Sequence, residues 1–545
     1  MRKSKEEKNS SCTVSDVRAI VVFCVIAIGI ASAYLQIALI NIRQFNTVSS
    51  EFSSKSLTIG ESRGLIYDTN MHKLVCIDYS FISAVKPTAS VLPKLRNLLN
   101  DAEYNRVVES VVNQSPILLN TDKIIKDNDV ISEVLYKRYN SNQLAAHIIG
   151  YTDSSGHNGL TGIERAYNSF LVANAGICRA RFVIDGKGSV MLGGKVEEIS
   201  ENYNSLSGVV LTINKYYQYS FEKAMDECGV TKGAGVLIDI ESGAVLASVS
   251  RPAFNPNNIS DYLNNTESPL FNRAFASFPI GSVFKPLIAA AALEQGIDPD
   301  EKVYCDGEIT VNSSVFGCTK KHGSVDMSSA IAYSCNCYFV NLIEKIDCSK
   351  VVDLAASLGF GNAVLLDDSI KTDRGYLPEI NELDSLASRA NFSFGQGRLN
   401  ANPYQIAMLY SMIANGGEYR KPYLIKGYCD SEGVFESVDS VKPPVKVISN
   451  KSSMLLREYL RLAVSDGTGK PATVDNVAVA GKTATAQSGE FVDGKERLVT
   501  WFAGFFPYEN PKYVAVIVCE DGLSGSADCA PVFSLLVKSM FSPNN

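Results

Sequence analysis

Two side chains at the start of a predicted helix could together form a nucleophile. Ser282 and Lys285 lie three residues apart in Gly281-Ser282-Val283-Phe284-Lys285-Pro286. On a helix this spacing places both side chains on one face, where they can meet. A serine whose proton can pass to a neighbouring amine is an activated nucleophile that needs no histidine. The alternative is a helix N-cap serine followed by a solvated lysine.

Two later motifs could supply the other groups that acyl transfer requires. Ser334-Cys335-Asn336 lies 52 residues after Ser282, and Lys482-Thr483-Ala484-Thr485 begins 148 residues after Ser334, in a predicted strand. Ser-x-x-Lys, Ser-x-Asn and Lys-Thr-Gly in this order are typical of penicillin-binding proteins and serine β-lactamases. The three motifs together therefore favour a serine acyl-enzyme.

Ala484 departs from this signature, because glycine is usual at its position. We favour a tolerated methyl group on the face of the strand away from substrate, and the alternative is a narrowed cleft with altered β-lactam affinity. A phosphate loop at Gly481-Lys482-Thr483 is excluded, since that motif requires glycine at position 476, which is asparagine.

The elements around the motifs predict one antiparallel sheet with helices packed on it. Apolar runs bounded by turn residues predict strands at 209–213, 235–240, 244–249, 477–485, 499–505 and 513–519. Helical patterns are found at 216–228, 284–295, 324–345, 350–357, 403–414, 452–464 and 531–540. Because strands occur at both ends, we expect an α+β domain in which both ends contribute to one sheet.

The N-terminal region predicts a membrane anchor. The 24 uncharged residues Ala19–Ile42 would span about 36 Å as a helix, enough to cross a bilayer core. Ala31-Ser32-Ala33 resembles a signal-peptide cleavage site, but apolar sequence continues to Ile42, so we expect an uncleaved anchor. Basic residues precede it and predict a cytoplasmic N-terminus with the remaining chain outside: Arg2, Lys3, Lys5, Lys8 and Arg18.

Composition excludes several classes of function. The 545 residues are 46% hydrophobic with a net charge of −7, so no basic surface is expected for nucleic acid. The four histidines lack metal-ligand spacing among themselves or with paired cysteines, so we expect neither a metal nor another cofactor: His72, His147, His157 and His322.

With these motifs the chain resembles a class B penicillin-binding protein, the single-pass D,D-transpeptidase of bacterial cell-wall synthesis. The resemblance extends to segments outside the motifs: Arg63–Asp68, Gly159–Tyr167, Gly243–Pro252, Asn272–Ala274, Phe394–Gly397, Ala414–Gly417 and Trp501–Gly504. It implies a cytoplasmic tail, a transmembrane helix, a small mixed pedestal domain that is dimerisation-like, and a penicillin-binding/serine β-lactamase-like transpeptidase domain. We place these segments at 1–17, 18–42, 43–205 and 206–545.

The resemblance also implies the chemistry of the first two motifs. Ser282 would attack the penultimate D-Ala of a peptidoglycan stem peptide, with Lys285 as candidate base, although the base is disputed in relatives. Ser334 would pass a proton to the leaving D-Ala nitrogen, and Asn336 would bind the substrate backbone. An amine of a neighbouring strand would then accept the acyl group to form a crosslink.

The third motif would bind the terminal carboxylate of the substrate through Lys482, Thr483 and Thr485. Backbone N–H groups of Ser282 and Thr485 would form the oxyanion hole. A lysine with the ordinary pKa of about 10.4 is a poor base at neutral pH, so burial and the Lys482 charge are expected to lower the pKa of Lys285.

The pedestal is expected to be non-catalytic and to dock partners, among them a membrane glycan polymerase. Its Arg63 and Glu164 are expected to form structural ion pairs, since buried Arg and Glu usually have partners. A fragment beginning near Leu206 is therefore expected to retain acylation by penicillin.

Other functions share parts of this pattern. A class A β-lactamase needs Glu-x-x-Leu-Asn, and the nearest stretch, Glu379–Leu383, lacks that spacing. A bifunctional enzyme would need a glycosyltransferase domain, for which about 160 residues without its acidic motif are too few. A D,D-carboxypeptidase and a non-catalytic β-lactam sensor or scaffold remain alternatives, as do roles in division, elongation or sporulation.

The thirteen cysteines are numerous for an exported chain. Eleven lie beyond the anchor, an odd number, so at least one is unpaired within the chain. Cys305 and Cys318 flank a predicted hairpin that should bring them close together, either as a disulfide or as two thiols.

Overall fold

The N-terminal helix is long and apolar enough to cross a membrane. The computed structural model describes residues 14–52, 54–492 and 494–542. Helix α1 extends over Val14–Phe52, and its Val17–Leu39 segment has a mean hydropathy of 2.4. Within the described ranges no second helix meets the same criterion. Most of the expected cytoplasmic tail lies outside the described residues, including Arg2, Lys3, Lys5, Lys8 and Cys12.

The further elements are numbered along the chain. The helices after α1 are α2 Val91–Leu95, α3 Asp101–Asn113, α4 Ala146–Ile149, α5 Gly162–Ala166, α6 Asn168–Ala173, α7 Lys215–Glu227, α8 Lys285–Glu294, α9 Met327–Ala332, α10 Asn336–Ile343, α11 Cys348–Ser357, α12 Leu386–Ser393, α13 Pro403–Ala414, α14 Asn450–Ser465 and α15 Ala530–Met540. The strands are β1 Ser54–Ser62, β2 Leu65–Tyr67, β3 Tyr79–Val85, β4 Ile117–Thr121, β5 Val130–Tyr136, β6 Gly176–Val183, β7 Glu197–Glu201, β8 Gly208–Leu211, β9 Gly233–Asp239, β10 Val245–Arg251, β11 Phe278–Pro279, β12 Val303–Cys305, β13 Glu308–Val311, β14 Ser314–Gly317, β15 Gly323–Val325, β16 Leu365–Asp367, β17 Ile370–Lys371, β18 Asn400–Ala401, β19 Glu418–Tyr419, β20 Ile425–Cys429, β21 Phe435–Ser437, β22 Val445–Lys446, β23 Ala480–Val492, β24 Lys495–Phe506 and β25 Tyr513–Glu520.

The described chain divides into two compact units. The first contains residues up to 61 together with 80–135 and 177–201. It has two three-stranded sheets, of order β1–β6–β7 and β4–β3–β5. Helices α2 and α3 contribute Val91 and Val107 to an apolar core that also contains Leu119 of β4.

The second unit, residues 62–79, 136–176 and 202–545, is built on a five-stranded antiparallel sheet. The strand order is β10–β9–β25–β24–β23, so the hairpin near the start of this unit lies beside strands from the end of the chain. The expected α+β sheet with contributions from both ends is confirmed. Lys482 of β23 lies opposite Ala503 of β24, which fixes the register at the third motif.

Two buried helices support this sheet. All twelve residues of α13 are buried, and the helix contacts β9, β24 and β25. Helix α8 is buried from Lys285 to Ala292. Protein surrounds these buried residues on every side, so the Ser282 turn that precedes α8 stands on a rigid support.

The helix predicted over 324–345 is interrupted, which corrects the sequence expectation. Asp326 caps α9, which ends at Ala332, and α10 begins at Asn336. Between them Ser334 has φ +62°, in the left-handed region that ends helices. The second motif therefore occupies a turn between two short helices, and its side chains project from that turn.

Part of the expected pedestal range belongs to the second unit. Strand β2 pairs in parallel with β8 and completes the sheet β2–β8–β20–β21. The predicted ion pair is confirmed, because Arg63 donates to Glu164 at 2.8 Å and Arg138 donates to the same carboxylate at 2.7 Å. Burial alone would raise the pKa of Glu164, but the two arginines hold it below its ordinary value. A fragment beginning near Leu206 would lack β2 and all three of these residues.

Candidate active site

Ser282 lies in a single turn of 3-10 helix, Gly281–Phe284, directly before α8. The backbone N–H of Gly281 donates to the carbonyl of Gly395 at 2.9 Å. A Cβ at Gly395 would lie 2.0 Å from the Gly281 oxygen, and Gly395 has φ +78°, so glycine is required there. The Trp501 indole N–H donates to the Pro279 carbonyl at 2.8 Å, which fixes the strand entering the turn. The turn that carries Ser282 is thus held from two sides.

The Lys285 ammonium lies at the centre of a hydrogen-bond network. Its Nζ donates to the Ser334 carbonyl at 2.8 Å, to Ser334 Oγ at 3.1 Å and to Asn336 Oδ1 at 2.7 Å. Ser334 Oγ donates in turn to Ser282 Oγ at 2.9 Å. The structure therefore brings all four predicted residues of the first two motifs together, with Ser334 bridging the lysine and the nucleophile.

Burial governs the charge of Lys285. The side chain is fully buried, which excludes the alternative of a solvated lysine. Burial lowers its pKa to about 7, while the nearby sulfurs of Cys318, Cys335 and Cys337 act in the opposite direction. A neutral amine is therefore accessible near neutral pH, as a general base requires.

Lys482 projects from β23 into the same buried region. Its Nζ donates to the Thr483 carbonyl at 2.9 Å and to Thr468 Oγ1 at 3.3 Å. Burial and then repulsion from Lys285 hold the pKa of Lys482 well below its ordinary value. Two buried lysines that repel each other do not both stay protonated easily, so an incoming anion would be favoured.

Thr468 is a site residue that sequence reasoning missed. It accepts a hydrogen bond from Thr483 Oγ1 at 2.7 Å as well as the bond from Lys482. It lies in Gly467-Thr468-Gly469 after α14, and a Cβ on Gly467 would lie 2.2 Å from the Ala332 carbonyl. The sequence does contain a signal for this residue, because a threonine between two glycines indicates that another backbone segment approaches closely there.

The side chains of the remaining residues of the third motif point alternately to the two faces of β23. Thr485 is exposed, and its Oγ1 accepts from the Gly525 N–H at 3.4 Å. Ala484 is only 3% exposed, and its methyl lies 3.5 Å from where a Cβ on Gly281 would stand. The methyl therefore packs against the Ser282 turn, on the opposite face of the strand from Thr485 and on the same face as Lys482. Its effect on substrate and β-lactam binding stays a prediction.

A cluster of cysteines and one histidine lies directly behind the second motif. The predicted hairpin forms as β13–β14, and it brings the free thiols of Cys305 and Cys318 close together as expected. The sequence predicts no metal-ligand grouping of histidines with cysteines. The structure corrects this for His322, whose Nδ1 lies 3.5 Å from Cys305 Sγ and 3.4 Å from Cys318 Sγ. Cys335 completes the group. The pairing of β12 with β15 places His322 beside Cys305, although the two residues are seventeen positions apart in the sequence.

The fold and these motifs define a class of protein. Residues 233–538, more than half of the chain, match the model of the penicillin binding protein transpeptidase domain. The chain therefore belongs to the family of penicillin-binding transpeptidases.

Individual relatives agree with this assignment. The chain is 26% identical over 506 residues to the peptidoglycan D,D-transpeptidase FtsI homolog of Mesostigma viride, covering 84% of this chain and 82% of that protein. It is 26% identical to the peptidoglycan D,D-transpeptidase MrdA of Acinetobacter baumannii, with coverages of 93% and 84%. The fold is similar to a D,D-transpeptidase domain from Eggerthella lenta, with a TM-score of 0.63 and 24% identity over 88% of this chain and 98% of that one.

Proposed function

We propose that the chain is a serine-type peptidoglycan D,D-transpeptidase that β-lactams inactivate by acylating Ser282. The observation that carries the proposal is the hydrogen-bond path from buried Lys285 through Ser334 to Ser282. It supplies a nucleophile, a proton relay and a base whose pKa is about 7. The relatives are named peptidoglycan D,D-transpeptidases, which supports peptidoglycan as the substrate. We infer that the reacting groups are stem peptides ending in D-Ala-D-Ala.

Acylation begins when Ser282 Oγ attacks the carbonyl carbon of the penultimate D-Ala. Its proton passes through Ser334 to neutral Lys285, and the carbonyl π electrons move onto oxygen. The N–H groups of Ser282 and Thr485 stabilise this oxyanion, an effect of about 3–4 kcal/mol per donor in other enzymes. When the C–N bond breaks, the relay returns the proton to the leaving nitrogen and D-Ala departs.

Substrate binding and base activation are coupled in this scheme. The terminal carboxylate would meet Lys482 with the hydroxyls of Thr483 and Thr485. Because an opposite charge favours the protonated amine, the bound carboxylate raises the pKa of Lys482. Protonated Lys482 then repels a proton on Lys285 and keeps the base neutral, so the active charge distribution forms only with substrate in place.

The acyl-enzyme then transfers its acyl group to the amine of a neighbouring stem peptide. The new amide forms as the ester bond to Ser282 breaks. Lys285 takes up the excess amine proton and returns it through Ser334 to Ser282 Oγ, which restores the free enzyme. The N-terminal helix would anchor the catalytic unit outside the membrane with the N-terminus in the cytoplasm, beside the membrane glycan polymerase that supplies its strands.

A fluorescent penicillin tests the nucleophile directly. The full-length protein in detergent should become covalently labelled, and Ser282→Ala should abolish the label. Ser357→Ala removes an exposed hydroxyl that donates to the Leu354 carbonyl, and this variant should label normally. Labelling that survives Ser282→Ala would refute the assignment. Glycan strands made from a lipid-linked precursor distinguish the two candidate reactions. A transpeptidase produces crosslinked peptide dimers from them, whereas a carboxypeptidase produces only shortened peptides.

A further inference from the structure

We propose that Cys305, Cys318, His322 and Cys335, here called the Cys3His cluster, bind one zinc ion behind the Ser334-Cys335-Asn336 turn. The four ligand atoms all lie within 4.8 Å of one another. Cys305 and Cys335 are buried, and Cys318 and His322 are partly buried. Three thiols and one imidazole are a common donor set of structural zinc sites.

The distances agree with a tetrahedral metal. Zinc bonds of about 2.3 Å to sulfur and 2.0–2.1 Å to nitrogen place a nitrogen and a sulfur ligand about 3.5 Å apart. His322 Nδ1 lies 3.5 Å from Cys305 Sγ and 3.4 Å from Cys318 Sγ. All four ligand atoms lie within 4.8 Å of one another. This limit is about 1 Å longer than the distance between two sulfurs bound to one tetrahedral zinc ion, a difference that side-chain rotation can close.

Other uses of these groups leave part of the arrangement unexplained. A disulfide would occupy two thiols and leave the third cysteine and the histidine without a role. An imidazole nitrogen can accept one thiol proton, whereas two sulfurs approach Nδ1 at nearly the same distance. A shared cation accounts for both contacts. Among divalent metals, thiolate-rich tetrahedral sites favour zinc, and each bound thiol releases its proton to solvent.

The surrounding structure supports the ligands. The backbone N–H of Asn336 donates to Cys318 Sγ at 3.2 Å, an outer-shell bond of the kind that orients metal thiolates. The His322 ring stacks on Tyr333, with centroids 6.4 Å apart and the planes inclined by 25°. The β12–β15 pair places Cys305 opposite Gly323, beside His322. Three separate elements therefore converge on one point.

The position of the cluster suggests what the metal does, and this second step rests on the proposed function. Cys335 lies between the two motif residues Ser334 and Asn336, and Ser334 holds a strained φ of +62°. A zinc bond to Cys335, and the Asn336 bond to zinc-bound Cys318, would hold this turn so that both motif side chains face Lys285. We infer that the zinc site is a positioning device for acylation.

Metal content tests the site independently of activity. The full-length protein, purified in detergent under reducing conditions, should contain about one zinc per chain by mass spectrometry, and cobalt exchange should give sulfur-to-cobalt charge-transfer absorption. Cys305→Ser and His322→Phe, the latter keeping a ring against Tyr333, should each lower zinc content at least about tenfold. Cys348→Ser, at a buried cysteine outside the cluster, should retain the metal.

Three results would overturn the zinc site: a chain that takes up no zinc when titrated with it, a Cys305–Cys318 disulfide in the reduced preparation, or equal metal loss in Cys348→Ser. Ser282→Ala should still bind zinc although it cannot be labelled. A failure of the proposed function would therefore leave the metal result intact.

Penicillin labelling tests the positioning role. Removing zinc with a chelator should lower the acylation rate at least about tenfold, and added zinc should restore it. The Cys348→Ser protein should respond in the same way as the wild type. If zinc-loaded and zinc-free proteins, equally folded by circular dichroism, acylate at the same rate, the positioning role is wrong even where zinc binds.

Discussion

The charge on Lys285 controls the proposed chemistry at the scale of single residues. Burial lowers its pKa to about 7, so the amine is protonated below that pH and neutral above it. We expect the rate of acylation by penicillin to rise about tenfold per pH unit below 7 and to level off above. Stopped-flow acylation from pH 5 to 9 measures the profile. A flat profile across this range would contradict the base assignment.

The two lysines of the site should respond differently to arginine. Lys285→Arg keeps a cation but cannot give up its proton, so acylation should fall by about 10³-fold. Lys482→Arg keeps the charge that binds carboxylate and should lose only about tenfold, because the larger guanidinium must fit beside Thr468. The measurement is the second-order acylation rate of each variant, with folding checked by thermal unfolding. Equal losses would refute the division of labour between base and carboxylate site.

At the scale of elements, the site depends on a close backbone contact between two glycine turns. Gly395→Ala would place a Cβ 2.0 Å from the Gly281 oxygen, so the Ser282 turn must move. We expect acylation to fall by about 100-fold or more, since small displacements of a nucleophile cost that much.

Gly397→Ala is a matched control for this prediction. Gly397 also has a positive φ, +84°, but its added Cβ would meet only the Asn391 side chain at 3.7 Å. Gly397→Ala therefore carries the same free-energy cost of a left-handed backbone, about 1 kcal/mol, without the steric clash. Penicillin acylation of both variants, alongside their melting temperatures, separates the two effects. Equal loss of acylation in both would show that backbone strain, not the contact with Gly281, matters.

At the scale of the whole molecule, a buried ion network ties together segments distant in the sequence. Glu164 is fully buried and accepts from Arg63, Arg138 and the Tyr139 hydroxyl. Glu164→Gln leaves two largely buried guanidinium groups without their counter-charge, and the free energy of unfolding should fall by about 3–5 kcal/mol. Glu227→Gln removes an exposed partner of Lys223 and should cost less than about 0.5 kcal/mol.

Chemical denaturation of the two variants, followed by tryptophan fluorescence, measures both values. The folded Glu164→Gln protein should still acylate with penicillin, because the described bonds of Glu164 are to Arg63, Arg138 and Tyr139, outside the three motifs. A loss of acylation without a loss of stability would instead place the network in the catalytic machinery.

The sequence by itself determined which residues are candidates for catalysis, and most of the elements. Three short motifs name Ser282, Lys285, Ser334, Asn336 and Lys482, because the chemistry depends on local spacing. The strands and helices of the transpeptidase unit follow from periodicity, and α13 ends where it was predicted, at Ala414. These features depend on residues that are near neighbours in the chain, so they can be predicted from the sequence.

Only the tertiary structure decided the features that depend on long-range contacts. The helix break at Ser334 follows from a left-handed residue within an apolar pattern that looks continuous. Thr468 gains its role from Lys482, fourteen residues away across a turn. His322 meets Cys305 and Cys335 because strand pairing and a helix start converge behind the motif. Such convergence depends on packing between separate elements, which sequence spacing does not record.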